Sequence, residues 1–258
     1  MHATYTMLVL TIVFCAPIIY FILAARRGRE IYVRPIAGLS AISEAIGRAT
    51  EMGRPVLYCA GLSGLDIDGL CSMAILGQIA KLTARYNLRI LVPMNDYLLY
   101  PIAEEAVREA YSAEGKLDLF DQKDMIYVPG QFPYAAACVG MMHREKVAAN
   151  FFFGYFAAES LILAEAGNQV GAIQVAGTPS TDQIPFFVTA CDYTIIGEEY
   201  YAATAYLTRE PTMLGSLVGQ DVGKITISAF VIIGTVFAAL TALVVLAKGN
   251  WIVEILER

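Results

Sequence analysis

Two apolar runs, one near each end, constrain this chain more than any other feature. Residues 5–25 read YTMLVLTIVFCAPIIYFILAA and residues 225–247 read ITISAFVIIGTVFAALTALVVLA, with no charged side chain in either. About 20 apolar residues in helical form cross a bilayer, so each run is expected to be a transmembrane helix. Arg26, Arg27 and Arg29 follow the first run. A cleaved signal carries its positive charge before the apolar stretch. The first run therefore reads as an uncleaved anchor with a basic stop, residues 1–29. Basic residues beside a span stay in the cytoplasm. The expected topology is an inner-membrane protein with both termini outside and residues 30–210 in the cytoplasm.

The two runs also account for the composition. The chain is 57% hydrophobic and 16% charged, against about 45–50% and about 25% in ordinary soluble domains. Its net charge of −6 supplies no basic footprint, which argues against a nucleic-acid partner. Membrane lipid is the expected partner of the runs. Lys224 and Lys248 bound the second span at 224–248. Within it, Gly234 and Ala238 stand four apart, a spacing that lets two helices approach closely. Trp251 falls where an interfacial aromatic belongs. Residues 249–258 form a short amphipathic tail, and the glycine-rich residues 211–223 read as a connector back to the membrane.

Between the runs the pattern changes to short alternating segments. PVLYCA (55–60), LRILVP (88–93), MIYV (125–128), VGAIQVA (170–176) and YTII (193–196) suit buried strands. Residues 38–52, 66–86, 102–113, 132–142, 147–166 and 198–207 carry helical spacing. Short apolar strands alternating with helices predict an α/β fold, a mostly parallel sheet with helices on both faces and Rossmann-like connectivity. The segment 150–166, NFFFGYFAAESLILAEA, is apolar nearly all round and reads as a helix of the core or of an oligomer interface. Phe151, Phe152, Phe153, Tyr155 and Phe156 are its candidate interface residues, together with Gly234, Ala238 and Trp251.

In open parallel sheets, ligands bind beyond the carboxyl ends of the strands. The corresponding loops offer Gly61, Ser63, Gly64 and Asp66, then Asp96, then Gly177, Thr178, Ser180, Thr181 and Asp182, then Glu198. Glycines before a helix start leave N–H groups open to an anion. Against that, the first loop, GLSGLDIDG, matches neither GxGxxG nor GxxxxGK[ST]. It has no lysine, and Asp66 and Asp68 would repel a phosphate. Both aspartates also suit a plain helix start. The strand-end acids, Asp66, Asp68, Asp96, Asp182, Glu198 and Glu199, have the oxygen chemistry of a Mg²⁺ site only if the fold gathers them.

Ser63 in GLSGL misses the GxSxG elbow by one position, and His143 in MMHREK reads as a solvated helix end. Five cysteines, Cys15, Cys59, Cys71, Cys138 and Cys191, and two histidines form no zinc pattern. They are expected to be reduced thiols, buried in apolar surroundings. No cofactor, metal or catalytic residue is assigned.

RPIAGLSAISEAIGRATEMGRPVLYCAGL (34–62) and ACDYTIIGEEYYAATAYL (190–207) resemble an uncharacterised family of bacterial membrane proteins with a domain of unknown function. The resemblance implies that anchors and domain recur as a unit, and brings no activity. Three functions fit the residues. One is a membrane-anchored scaffold or structural subunit, a homo-oligomer or part of a larger membrane complex. Another is a small-ligand or sensing module using the strand-end loops. The third is a hydrolase or transferase using the strand-end acids. The missing catalytic constellation favours the scaffold over an enzyme.

Overall fold

The computed structural model of the chain describes residues 5–28 and 37–256. They form two compact units. One comprises the terminal helices and the other the segment between them, Tyr32–Arg209.

The central unit opens with helix α2 (Ala37–Met52), after α1 (Tyr5–Arg26) of the terminal unit. It then alternates β1 (Val56–Gly61), α3 (Ile67–Arg85), β2 (Ile90–Met94), α4 (Leu99–Ala113), β3 (Met125–Tyr127), α5 (Gln131–Glu145), β4 (Ala149–Tyr155), α6 (Glu159–Gln169), β5 (Ile173–Thr178), α7 (Ile184–Ala190), β6 (Tyr193–Ile196) and α8 (Glu199–Thr208). The six strands form one sheet in the order β3-β2-β1-β4-β5-β6, every neighbouring pair parallel. That is the doubly wound order of Rossmann-like folds.

Alternation along the strands sorts side chains to the two faces. Leu57, Cys59, Leu91, Phe152 and Ala176 form a core with Tyr134 and Cys138 of α5, Leu163 of α6 and Phe187 of α7. Tyr58 points the other way, where its hydroxyl donates to Ser72 O of α3 at 2.6 Å. The Gln174 amide ties two helices to the sheet, its Nε2 donating to Ala164 O at 2.8 Å and Ala190 O at 2.9 Å.

Local chemistry sets the helices. Asp66 caps α3, its Oδ1 accepting from Gly69 N at 2.8 Å. In α4, Leu99, Ala103, Val107, Ala110 and Tyr111 share the buried face, while Arg108 meets Glu104 and Glu105 outside.

Three sequence expectations need correction. Residues 150–166 are not a helix. Their first part is β4, and α6 begins only at Glu159. A short, wholly apolar run does not reveal its period. The three consecutive phenylalanines and Gly154, at φ +148°, belong to a strand that ends in a sharp turn. Phe151, Phe152, Phe153 and Phe156 are consequently buried in the domain core rather than offered to a partner, and Tyr155 alone of that group is exposed. The short helix α7, with Pro185 in its first turn, lies between β5 and β6, where the residue pattern carries no helical expectation.

The second correction is residues 211–223, which form no loose connector but the first turns of α9 (Pro211–Leu256). The third concerns the close helix approach. It lies at Gly215 and Gly219, not at Gly234. A Cβ on Gly215 would stand 2.6 Å from Ile22 Cα, and one on Gly219 would stand 2.5 Å from Ile18 Cα. One on Gly234 would meet nothing.

Among the described residues one helix is long and apolar enough to cross a membrane, Pro211–Leu243. The apolar stretch of α1, Thr11–Arg26, is shorter. Arg29 and the boundary at residue 30 lie outside the described residues, as do residues 257 and 258 of the tail. The backbone of Trp251 continues α9, and its side chain lies outside the description.

Two substitutions test the seam between α1 and α9. Gly219→Val should lower the melting temperature of the detergent-solubilised protein, because the backbones must separate. Gly234→Val should leave it unchanged. Equal melting curves for the two variants would refute the seam. In the sheet core, Phe152→Ala should cost about 3–5 kcal/mol, read as a lowered midpoint in chemical unfolding.

Candidate functional site

The doubly wound order reverses between β1 and β4, and the crevice beyond their carboxyl ends is where such folds hold ligands. Here the two flanking loops are hydrogen-bonded to each other across it. The Ser63 hydroxyl is buried. It donates to Ala60 O at 2.7 Å and accepts from Tyr155 N at 2.7 Å. Leu62 N donates to Tyr155 O at 2.8 Å, and Gly61 N donates to the Tyr134 hydroxyl at 3.2 Å. These bonds clip the loop after β1 to the loop after β4.

The clip explains two glycines. Gly61 takes φ +66°, and a Cβ there would overlap Tyr155 O. A Cβ on Gly154 would overlap Ala60 O and the Ser63 hydroxyl.

The next turn is equally occupied. Gly69 packs so tightly on Gly64 that a Cβ would overlap Gly64 O. The N–H of Gly69 is already spent on Asp66. Asp68 Oδ1 accepts from the Tyr201 hydroxyl at 2.7 Å, and Asp68 O from the Tyr200 hydroxyl at 2.7 Å. Burial and then the Asp68 carboxylate raise the Tyr201 hydroxyl above its ordinary value, so it remains a donor. An anion arriving at this helix start meets two carboxylates and a used N–H.

The other candidates lie along the same edge. Asp96 Oδ1 accepts from Leu98 N and Leu99 N, each at 2.9 Å, and so caps α4. Gly177 lies close to the Phe153 ring. Thr178 is buried, with Oγ1 accepting from Ser180 N at 3.2 Å. Thr181 and Asp182 are exposed, and so is Glu198 at the start of α8. Gly197 N donates to Thr178 O at 3.1 Å, which holds the last two loops together. The acids do not converge. No group of three His, Cys, Asp or Glu that could hold a metal occurs among the described residues.

Sequence reasoning missed Glu159, because it sat inside the misread helix. It is fully buried at the start of α6. Its Oε1 accepts from Ala157 N at 2.9 Å and its Oε2 from Gln131 Nε2 at 2.7 Å. Beside it the Ser160 hydroxyl donates to Gln183 Oε1 at 2.7 Å. Both carboxylate oxygens are satisfied, so Glu159 ties the α5 and α6 starts together, while Ser160 links α6 to the residue before α7.

A family model for a domain of unknown function, DUF6754, matches residues 2–248. The chain belongs to the DUF6754 family. No curated protein and no solved structure matches it. For this DUF6754 chain, then, the geometry of the strand-end edge is the ground for any functional reading.

Cys15, on α1, is exposed, against the expectation of a buried thiol. Cys59, Cys71 and Cys138 are buried and Cys191 is half-buried. Burial, then the neighbouring Cys59, pushes the Cys138 thiol up. Burial and then the Asp192 charge push Cys191 up to about 12.

Ser63→Ala should leave Tyr155 N without its acceptor and cost about 1–3 kcal/mol, seen as a lower melting temperature. Alkylation of Cys191, followed by peptide mass mapping, should be slow near pH 8, where the thiol is protonated. It should quicken by about tenfold per pH unit toward its raised pKa, since the thiolate is the nucleophile. A rate that levels off near pH 9 would contradict the placement.

Proposed function

We propose that this protein is a membrane-anchored scaffold subunit that assembles through its α/β domain, as a homo-oligomer or within a larger membrane complex. The observation that carries this reading is the hydrogen-bonded clip across the crevice between β1 and β4. Ser63, Tyr155 and Tyr134 occupy the place where a doubly wound sheet would seat a small molecule, and Asp66 and Asp68 oppose a phosphate at the adjoining helix start. A fold that closes its ligand crevice with its own backbone retains its outer surfaces as the means of interaction.

The anchoring half of the proposal uses both apolar runs. In it, the first run and the Ile225–Ala247 stretch both lie in lipid, in an inner membrane. Arg26, Arg27 and Arg29 hold the α/β domain on the cytoplasmic side, with both termini outside. The close packing of Ile18 and Ile22 on Gly219 and Gly215 supports a paired-helix anchor, since small residues are what let membrane helices approach.

One observation favours a second reading. Ser180, Thr181 and Asp182 stand at the carboxyl end of β5, with Thr181 and Asp182 open to solvent. This loop is the place for a small polar ligand if the domain is a sensor.

The mass of the native particle in mild detergent, by light scattering, tests the scaffold. A particle of several copies or of mixed subunits is expected. A monomer overturns the proposal and shifts attention to the loop after β5.

A further inference from the structure

The carboxyl edge of the sheet combines two surface properties. The first is exposed apolar area. Leu65 and Ile67 follow β1, Tyr97 follows β2, Phe132 follows β3, Tyr155 follows β4, and all are exposed. Ile67 is 70% exposed, Tyr97 67% and Phe132 61%. Single exposed apolar side chains are ordinary, but a contiguous row marks an interaction surface. These residues stand at the ends of four adjacent strands, β3-β2-β1-β4. The loops that carry them are tied down rather than slack. Asp66 and Asp96 cap the helices that follow, and Ser63 bridges to Tyr155.

The second property is charge. The loops over this edge (61–69, 95–98, 128–132, 155–159, 179–183 and 197–199) hold Asp66, Asp68, Asp96, Asp182, Glu198, Glu199 and the buried Glu159, without one Lys or Arg. Among the described residues, Arg85 and Arg89 lie toward the opposite edge and meet acids there. Arg85 pairs with Glu114 at 3.0 Å, and Arg89 pairs with Asp124 at 2.7 Å. These strand-end loops are therefore acidic by their own composition.

We propose that this edge docks a basic amphipathic segment of a partner protein. Its apolar side chains lie on the Ile67, Tyr97 and Phe132 row, and its lysines or arginines face Asp66, Asp96 and Asp182. Charge complementarity selects the occupant. An anionic lipid surface meets like charge here, and so does a nucleic-acid backbone. An amphipathic helix supplies both an apolar stripe and flanking cations, and laying such a stripe on an apolar surface is an established recognition mode. The inference rests on the reading of the domain as an assembly module and names the face and the chemistry of the partner.

The test uses the full chain in neutral nanodiscs. The probe is a fluorescent peptide of leucine and lysine at helical spacing, followed by anisotropy against empty nanodiscs. Its counterpart has glutamate in place of lysine. The lysine peptide should bind and the glutamate peptide should not, with affinity falling as salt rises. Ile67→Ser with Phe132→Ser, and separately Asp96→Asn with Asp182→Asn, should each weaken binding by roughly tenfold or more. Glu105→Gln with Glu109→Gln, on the outer face of α4, should leave it unchanged.

Melting curves matching the parent show that the variants are folded. Equal binding by rim variants and parent, or equal binding of the two peptides, overturns the proposal. So does quenching of a dye at Phe132→Cys by spin-labelled lipid, which would give the rim to the bilayer. An oligomeric particle that ignores the lysine peptide sinks this inference and leaves the scaffold standing. A monomer that binds it does the reverse.

Discussion

β4 is the strand on which the rest of the central unit depends. It pairs with β1 on one side and β5 on the other, and so joins the two halves of the doubly wound sheet. It buries phenylalanines on both faces. Phe152 stacks on Phe187 with ring centroids 5.8 Å apart, and Phe153 stacks on Tyr58 at 6.3 Å. Each fully buried aromatic contributes about 1.5–3 kcal/mol from area removed from water. α5, α6 and α7 take their places against one face because Phe152 and Phe156 are there to be covered. The same strand delivers Tyr155 N and O to the loop after β1.

That delivery closes the crevice. In a ligand-binding doubly wound fold, the first loop stands away from β4 and turns its N–H groups toward the ligand. Here Ser63 occupies the gap, and Gly154 lacks a side chain so that Ala60 O and the Ser63 hydroxyl can sit against its backbone. The bonds made by Ser63, Leu62 and Gly61 replace those a bound molecule would make. A polar crevice left empty would carry unsatisfied backbone groups, and filling it with protein satisfies them. The strand-end loops carry exposed apolar and acidic side chains.

The terminal helices follow a different physical rule. These two helices meet by close backbone contact rather than by interdigitating large side chains. Gly215 and Gly219 supply it by letting α9 rest on the backbone of α1 at Ile22 and Ile18. A glycine in a helix costs about 1 kcal/mol relative to alanine. Two of them one turn apart are understandable only if the approach they permit returns more than that.

Much of the molecule was legible from residue order alone. Strands β1, β2, β3, β5 and β6 announced themselves as short apolar runs ended by Gly, Pro or polar residues, and with the helices between them they implied an α/β fold. The Asp66 cap followed from its position before a helical pattern. The charge argument was also available, since the strand-end loops hold acids and no bases. What stayed hidden depended on partners distant in sequence. NFFFGYF has no period that separates strand from buried helix, and only its place between β1 and β5 made it β4. The run 211–223 looked like a connector because its glycines weaken an isolated helix, whereas α1 packed against them makes a seam. Gly61, Ser63 and Gly64 read as an open glycine loop until the fold brought Tyr155, 92 positions beyond Ser63, within a hydrogen bond. Composition and periodicity are properties of a segment, so the sequence could declare them. Whether a crevice is open or filled depends on which segments meet, and tertiary structure alone decides that.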